Sequence, residues 1–405
     1  MALLTALALQ GNRAAADDSP LAPPATIGNT LEAAPGEAGR EVSLFPLATT
    51  NPDDARPRPA LCVSGWADMG YTSSSSGSGR LAVAPQMNRF GNEFLFNQLA
   101  LTFERPLRYD EFSCGYYLQL FNGADASTLQ GDGDIKNGNP RFGTTVRQAR
   151  LQFHLPVVSD GGVDVVVGRQ GSLMGYESYM APLRNFYSVS YQWFYAEDGA
   201  DTGCWATLHG ADGWDYTYGV YLGSNTFFTL NGNAPTHELQ IKRWLDAEHK
   251  FYHCATLVVG DQAVGKTIAV LPGNLATVLE WRIQAAFSDR WTQVFQANIG
   301  WDQDVRFLGT GRWHGMLTNS VYQLQPRLDG QLRIEWFDDV NGTRTGRATD
   351  YVAITTGLAA RLTPRLTLRP ELRGDFAGKP VFGPLDSLAR QRSQLTAALE
   401  CVLTF

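Results

Sequence analysis

From about residue 61 onward, apolar and polar residues alternate along the chain with a period of two. Successive side chains of a strand point to opposite faces, so each such segment has one greasy side and one polar side. The clearest segment runs from Leu366 to Phe376. Leu366, Leu368, Pro370, Leu372 and Phe376 share one face, and Thr367, Arg369, Glu371, Arg373 and Asp375 share the other. In the last segment, Leu395, Ala397, Leu399, Cys401, Leu403 and Phe405 oppose Gln394, Thr396, Ala398, Glu400, Val402 and Thr404. Ala149, Leu151, Phe153 and Leu155 likewise oppose Gln148, Arg150, Gln152 and His154. Trp214, Tyr216, Tyr218, Val220 and Leu222 oppose Asp215, Thr217, Gly219 and Tyr221. Leu275, Thr277, Leu279, Trp281 and Ile283 oppose Ala276, Val278, Glu280 and Arg282. Weaker alternation near residues 65, 100, 117, 165, 205, 240, 255, 295, 318, 334 and 355 brings the expectation to roughly 16 strands.

Short polar turns at 105–110, 209–213, 288–290, 327–330 and 363–365 alternate with longer Gly/Ser/Asn-rich stretches such as 73–91, 122–143, 226–235 and 378–391. An up-and-down barrel gives that rhythm, with turns at one rim and loops at the other. A soluble sandwich could also bury the apolar faces, but it uses Greek-key crossovers. The barrel is favoured by the mixed charge of the polar face (Arg369, Glu371, Arg373, Asp375), by the even strand count and by the final apolar alternation ending on Phe405. In a barrel the last strand pairs with the first, so Phe405 is expected at the closure. Trp66, Tyr71, Trp214, Trp244, Trp291 and Trp336 stand at expected strand ends, as interfacial girdles would require. The prediction is an all-β, transmembrane, antiparallel up-and-down β-barrel over residues 59–405.

Composition agrees. Charged residues make up 18% of the 405, below the about 25% usual for soluble domains. No run of about 18 apolar residues exists, which excludes membrane helices. A net charge of −7 gives no footprint for a nucleic-acid binder and leans weakly toward cation preference in a channel. The five cysteines, Cys62, Cys114, Cys204, Cys254 and Cys401, are scattered and show no CxxC. Residues 1–58 read as a signal-like segment and a flexible Pro/Ala-rich leader. MALLTALALQ resembles a signal's apolar region and Ala6-Leu7-Ala8 its cleavage site, but the basic region is missing, so Met1 is expected to lie inside the true signal.

Size sets the function. A barrel of about 16 strands is too wide for its side chains to fill and leaves an aqueous channel. Gln148, Arg150, Gln152, Glu280, Arg282, Arg369, Glu371, Arg373 and Asp375 are expected to line it. The longest loop-like stretch, about 171–201, is unusually aromatic, and that much apolar surface should be packed somewhere. It is expected to fold inward and narrow the pore, with Tyr176, Glu177, Tyr179, Arg184, Tyr191, Trp193, Glu197 and Asp198 at the constriction. Glu177, Glu197 and Asp198 would then face Arg150, Arg369 and Arg373 across a transverse field. The alternatives are an extracellular loop packed on its neighbours or an unrecognised strand pair.

Other motifs carry little. Residues 260–267, GDQAVGKT, match the phosphate-loop pattern, but Pro272 and Gly273 leave no room for the helix that would hold the phosphates. Glu248, His249 and His253 lack the HExxH order, and a spacing of four in a strand spans over about 13 Å. In Asp132–Gly138, Lys136 and Gly143 occupy positions a calcium loop gives to ligands, which reads as a solvated loop. No cofactor, metal or catalytic residue is expected.

The segments GWADMGYT (65–72), NQLALTFERP (97–106), GRQGSLMGYES (168–178), SYQWFYAED (190–198), LRIEWFDDVNGTR (332–344) and LRPELRGD (368–375) occur in an order that resembles the putative β-barrel porin-2, OmpL-like family. The resemblance covers most of residues 61–405 and implies an outer-membrane porin with a cleaved signal. It does not imply a particular solute. The expected partners are membrane lipid, small hydrophilic solutes and the outer-membrane assembly machinery, with a homo-trimer common among porins of this size; nucleic acid is not among them. The rival readings are a secreted soluble β-sandwich that binds carbohydrate and a non-conducting structural barrel.

Overall fold

In a computed structural model, described for residues 48–49, 58–59, 61–83, 87–246, 250–261, 275–305 and 309–405, sixteen strands form one closed antiparallel barrel. They are β1 (Cys62–Ser74), β2 (Glu93–Arg105), β3 (Ser113–Gly123), β4 (Gly143–Leu155), β5 (Val163–Gly171), β6 (Ala200–His209), β7 (Trp214–Tyr221) and β8 (Thr236–Trp244). The second half comprises β9 (Phe251–Asp261), β10 (Leu275–Ser288), β11 (Trp291–Val305), β12 (Gly309–Gln325), β13 (Leu328–Asp339), β14 (Thr349–Thr363), β15 (Leu366–Ala377) and β16 (Ser393–Thr404). Every segment named from alternation coincides with one of these strands, Leu222 and Phe405 lying one residue beyond β7 and β16.

Each strand pairs with its neighbours in sequence, and β16 pairs with β1 from Thr396–Ser74 to Thr404–Trp66. Phe405 completes the seam, exchanging backbone hydrogen bonds of 2.8 and 2.9 Å with Gly65. No edge is left open for pairing with another chain. Turns at 289–290, 326–327 and 364–365 mark one rim. The other carries the long connections 75–92, 124–142, 172–199, 222–235, 340–348 and 378–392. A short helix, α1 (Ala124–Leu129), sits in the β3–β4 loop. Most of the proposed leader, most of the phosphate-loop-like segment, and Glu248 and His249 lie outside the described residues.

The layering is inverted relative to a soluble protein. Leu151, Leu239, Leu279, Ile299, Ile334, Leu372, Leu399 and Leu403 are all exposed on the outer face. Inside, Asp68, Glu280, Arg333, Arg373, Asp375 and Glu400 are fully buried. Such a surface would aggregate in water and suits contact with lipid, as in outer-membrane barrels. A stacked pair of sheets, the sandwich alternative, is not what forms.

Two details correct the sequence expectation. Tyr71, Trp214, Trp291 and Trp336 face outward, but Trp66 is buried inside and donates Nε1–H to Gln98 at 2.7 Å. Trp244 stands opposite the buried Tyr252, also on the inner side. Strand parity, not nearness to a rim, decides the face. Second, the register shifts by one residue between β1 and β2 and between β3 and β4. These bulges insert Asn97 and Arg147, so Asn97 with Gln98, and Arg147 with Gln148, turn inward as adjacent buried pairs.

Candidate functional site

The β5–β6 connection, residues 172–199, folds into the barrel interior. Its one turn of helix, α2 (Tyr191–Tyr195), starts where the Ser190 side chain accepts the Trp193 N–H. Buried backbone cannot go without hydrogen-bond partners, and the inner wall supplies them. The N–H groups of Tyr176, Ala181, Ser188 and Tyr191 donate to Gln296 (2.8 Å), Gln98 (3.1 Å), Glu371 (3.0 Å) and Glu335 (2.6 Å). Arginines take the carbonyls. Arg369 donates to Ala181 O at 2.7 Å and to Arg184 O, Arg333 to Ser188 O at 3.0 Å, Arg373 to Val189 O at 3.0 Å, and Arg282 to Gly175 O.

Ion pairs pin the loop on the same side. Arg184 lies between Asp68 (3.0 Å) and Glu400 (2.9 Å) on β1 and β16, with Asp125 of α1 at 3.9 Å. Glu177 pairs with Arg333 and also accepts Ser190 N–H at 2.7 Å. Arg373 binds Glu335 (3.0 Å) and Asp375 (2.8 Å). Asp375 in turn accepts the Tyr191 hydroxyl at 2.8 Å. Gly175 is required where it stands. Its φ is +84°, and a Cβ there would collide with the Glu197 carboxylate. Gly70 gives way to the Tyr187 ring in the same manner.

Each residue expected at the constriction can now be placed. Tyr179 is buried, donating to Gln119 (2.6 Å) and accepting from Gln148 (2.5 Å). Tyr176, Glu177, Arg184 and Tyr191 make the contacts given above. Trp193 is half-buried. Glu197 is buried and accepts from Gln296 at 2.5 Å; burial, reinforced by the charge of Glu280, pushes its carboxyl up to about 8. Asp198 accepts the Tyr221 hydroxyl at 2.6 Å. The nine expected lining residues lie on the inner face, all but Gln152 buried.

Several charges expected to set a transverse field are held in nearer pairs: Arg369 with Glu400, Arg373 with Glu335 and Glu177 with Arg333. None of Arg150, Arg369 and Arg373 pairs with Glu177, Glu197 or Asp198. In a low-dielectric interior a separated charge is costly, so the carboxylates and guanidiniums of neighbouring strands neutralise one another at contact distance. Arg333, Glu335, Asp68 and Glu400 were not singled out, although the alternation of Leu332–Phe337 marks Arg333 and Glu335 as inward.

Along one sector the loop touches the wall through Tyr179, Leu173 and Asp198 but leaves a gap between them. A cleft of about 130 Å³ runs between residues 172–180, 193 and 198–199 and the inner faces of β4 to β8. It extends to Leu107 and Tyr109 at the short-turn rim. On that wall His154, Asp164, His209, Asp215 and Lys242 form a chain of contacts of 2.7, 3.1, 2.8 and 3.7 Å across five strands. In the calcium-like segment Asp134 is gripped by Arg169 at 2.8 and 2.9 Å. His253 accepts from Trp281 Nε1 at 2.8 Å on the outer side.

A closed sixteen-stranded barrel with a lipid-facing exterior, a charged interior and an infolded loop is an outer-membrane channel of the porin class. The chain belongs to the family described as putative beta-barrel porin-2, OmpL-like, whose profile matches residues 60–405. Among solved structures it is similar to the outer membrane channel DcaP of Acinetobacter baumannii (TM-score 0.57, 10% identity, 85% of this chain and 97% of that one). It is also similar to an anion-selective porin from Comamonas acidovorans (TM-score 0.55, 11% identity, 85% and 99%). A third is the trimer form of OmpT, an outer membrane protein of Vibrio cholerae (TM-score 0.54, 9% identity, 85% and 99%). At such identities the likeness is one of fold. No curated protein matches the chain.

Proposed function

We infer that the protein passes small hydrophilic solutes passively across the outer membrane, through the space between the infolded loop and the β4–β8 wall. The observation that carries this reading is the cleft itself. Its wall side carries Gln148, Gln152, Gln170, Gln240, Thr207 and Thr217, and its loop side Leu173, Met174, Met180 and Trp193. The loop acts as the constriction: it excludes solutes by size, and its half-buried Trp193 offers a flat apolar surface to amphipathic ones. The trimer form of the similar OmpT barrel supports a homo-trimer here as well, delivered by the outer-membrane assembly machinery after export on a leader within residues 1–58.

One observation favours a second reading. The loop bonds to the inner residues of β1, β2, β10, β11, β13, β15 and β16, which would also suit a barrel closed to solutes. Planar-bilayer recording of the purified protein and of a 176–196 deletion separates the two. The intact barrel should give small conductance steps and the deletion steps severalfold larger. An intact barrel that is silent while the deletion conducts would establish the closed barrel; equal conductance would remove the loop from the role of constriction.

A further inference from the structure

The charged groups lining the cleft differ in what neutralises them. Three are acidic, and each has protein partners: Asp164 is held by His154 and His209, Glu177 by Arg333, and Asp198 by the Tyr221 hydroxyl. Lys242 leans on Asp215 at 3.7 Å. Arg147 and Arg150 have no such counterpart. Among the described residues no carboxylate pairs with either one.

Their remaining contacts hold them in place without neutralising them. Arg150 donates through one terminal nitrogen to Gln148 (2.7 Å) and Gln170 (3.4 Å), and its guanidinium lies over the Tyr117 ring at 4.8 Å. Arg147 donates to Leu129 O (3.1 Å) and Asn225 (3.2 Å) and lies over the Tyr179 ring at 4.8 Å. The carboxylates that could reach Arg147 are already engaged, Asp134 by Arg169 and Asp201 by the Asn225 N–H at 2.7 Å. Among the described residues, Nε of each guanidinium is buried with no acceptor and Nη2 donates to no protein atom. Both side chains are more than nine-tenths buried and line the cleft. A guanidinium in this setting is a fixed, dehydrated positive charge with donors to spare, and it attracts carboxylate and phosphate-type oxygens more than it does water.

We propose that Arg147 and Arg150 form an anion-selecting site in the cleft, suited to a small organic carboxylate. The inference rests on the channel reading above and specifies which solutes that channel favours. The carboxylate binds against the two guanidiniums, anchored on the wall by the Gln148–Gln170 pair. An apolar portion of the solute lies along Leu173, Met174, Met180 and Trp193 on the loop side. The preference is opposite to the one the net charge of −7 suggests, because the acidic residues lining the cleft are held by cationic or hydroxyl partners, whereas the two arginines have only neutral ones at contact distance.

The test is the reversal potential across a planar bilayer under a potassium chloride gradient, followed by addition of benzoate to one side. The wild type should be anion-selective, and benzoate should reduce its chloride current. Arg150→Gln and Arg147→Gln should each lower the anion-to-cation permeability ratio severalfold, and the double variant should abolish selectivity and benzoate block. Arg150→Lys, which keeps the charge, should retain most of the selectivity, and Arg327→Gln in the short-turn rim should change nothing. Heat-modifiable gel mobility verifies that each variant is folded. A wild type that conducts without anion preference, or a folded double variant with unaltered selectivity, overturns the site and leaves the channel standing. A wild type with no conductance overturns the channel and the site with it.

Discussion

Two sectors of one barrel, built from the same alternating strands, treat their charges differently. Across β10 to β16 and β1, wall arginines and carboxylates are consumed in holding residues 172–199. Arg184 with Asp68 and Glu400, Arg333 with Glu177, and Arg373 with Glu335 and Asp375 are all buried ion pairs. Across β4 to β8 the wall faces a cleft instead, and its charges are chained along the strands, as from His154 to Lys242, paired with the β3–β4 connection, as Arg169 with Asp134, or left without a carboxylate at contact distance, as at Arg147 and Arg150. A polar barrel interior is therefore not one environment. Where the loop docks through ion pairs, charge serves as adhesive; beside the cleft, charge remains available to solutes.

Breaking the adhesive should have the largest effect on stability. Arg184→Ala strands Asp68 and Glu400 in the interior and should cost about 3–5 kcal/mol, the range for removing one partner of a buried pair. Arg150→Ala, which abandons no paired carboxylate, should cost clearly less in the same urea-unfolding series. Similar costs for the two would erase the distinction between the sectors.

The outer face should be blind to it. Ile334 on β13 and Leu239 on β8 are 42% and 46% exposed toward lipid on opposite sectors. Ile334→Arg and Leu239→Arg should each cost about 2–4 kcal/mol, as expected of a cation near the bilayer midplane. A large disparity between them in lipid vesicles would mean that one strand does not face lipid.

The smallest effect is a pH dependence confined to the docked loop. Glu197 is held protonated by burial beside Glu280, with its carboxyl near 8 when docked and close to about 4.3 when released. Because the docked form retains the proton over that interval, docking is strongest at low pH, weakens as pH rises from the lower value toward about 8, and levels off above it. Channel noise from a loosened loop should therefore grow between pH 5 and 9 in the wild type and stay flat in Glu197→Gln. A variant that keeps the wild-type profile would place the titration elsewhere.

Much of this architecture was legible along the chain. Alternation in segments such as Leu366–Phe376 and Gln394–Phe405 fixed strand positions and assigned Arg369, Glu371, Arg373 and Asp375 to the inner face, because side-chain parity in a strand is a local property. The aromatic content of 171–201 marked a segment that had to pack somewhere. Girdle assignments failed at Trp66 and Trp244, since an end position says nothing about parity.

What the order of residues determined by itself is the inside-out barrel: a period of two, sustained through sixteen segments, leaves lipid on one face and charge on the other. Three things were decided only by the tertiary structure. Bulges turned Asn97 and Arg147 inward, a choice that depends on the register of a neighbouring strand. The partner of each charge, Glu177 with Arg333 rather than Arg150, followed from which wall the loop approaches. The cleft lies beside β4 to β8 because that is where residues 172–180 and 198–199 stand off the wall. Strand faces are set within a few residues, whereas ion-pair partners and empty space are set by segments more than a hundred residues apart.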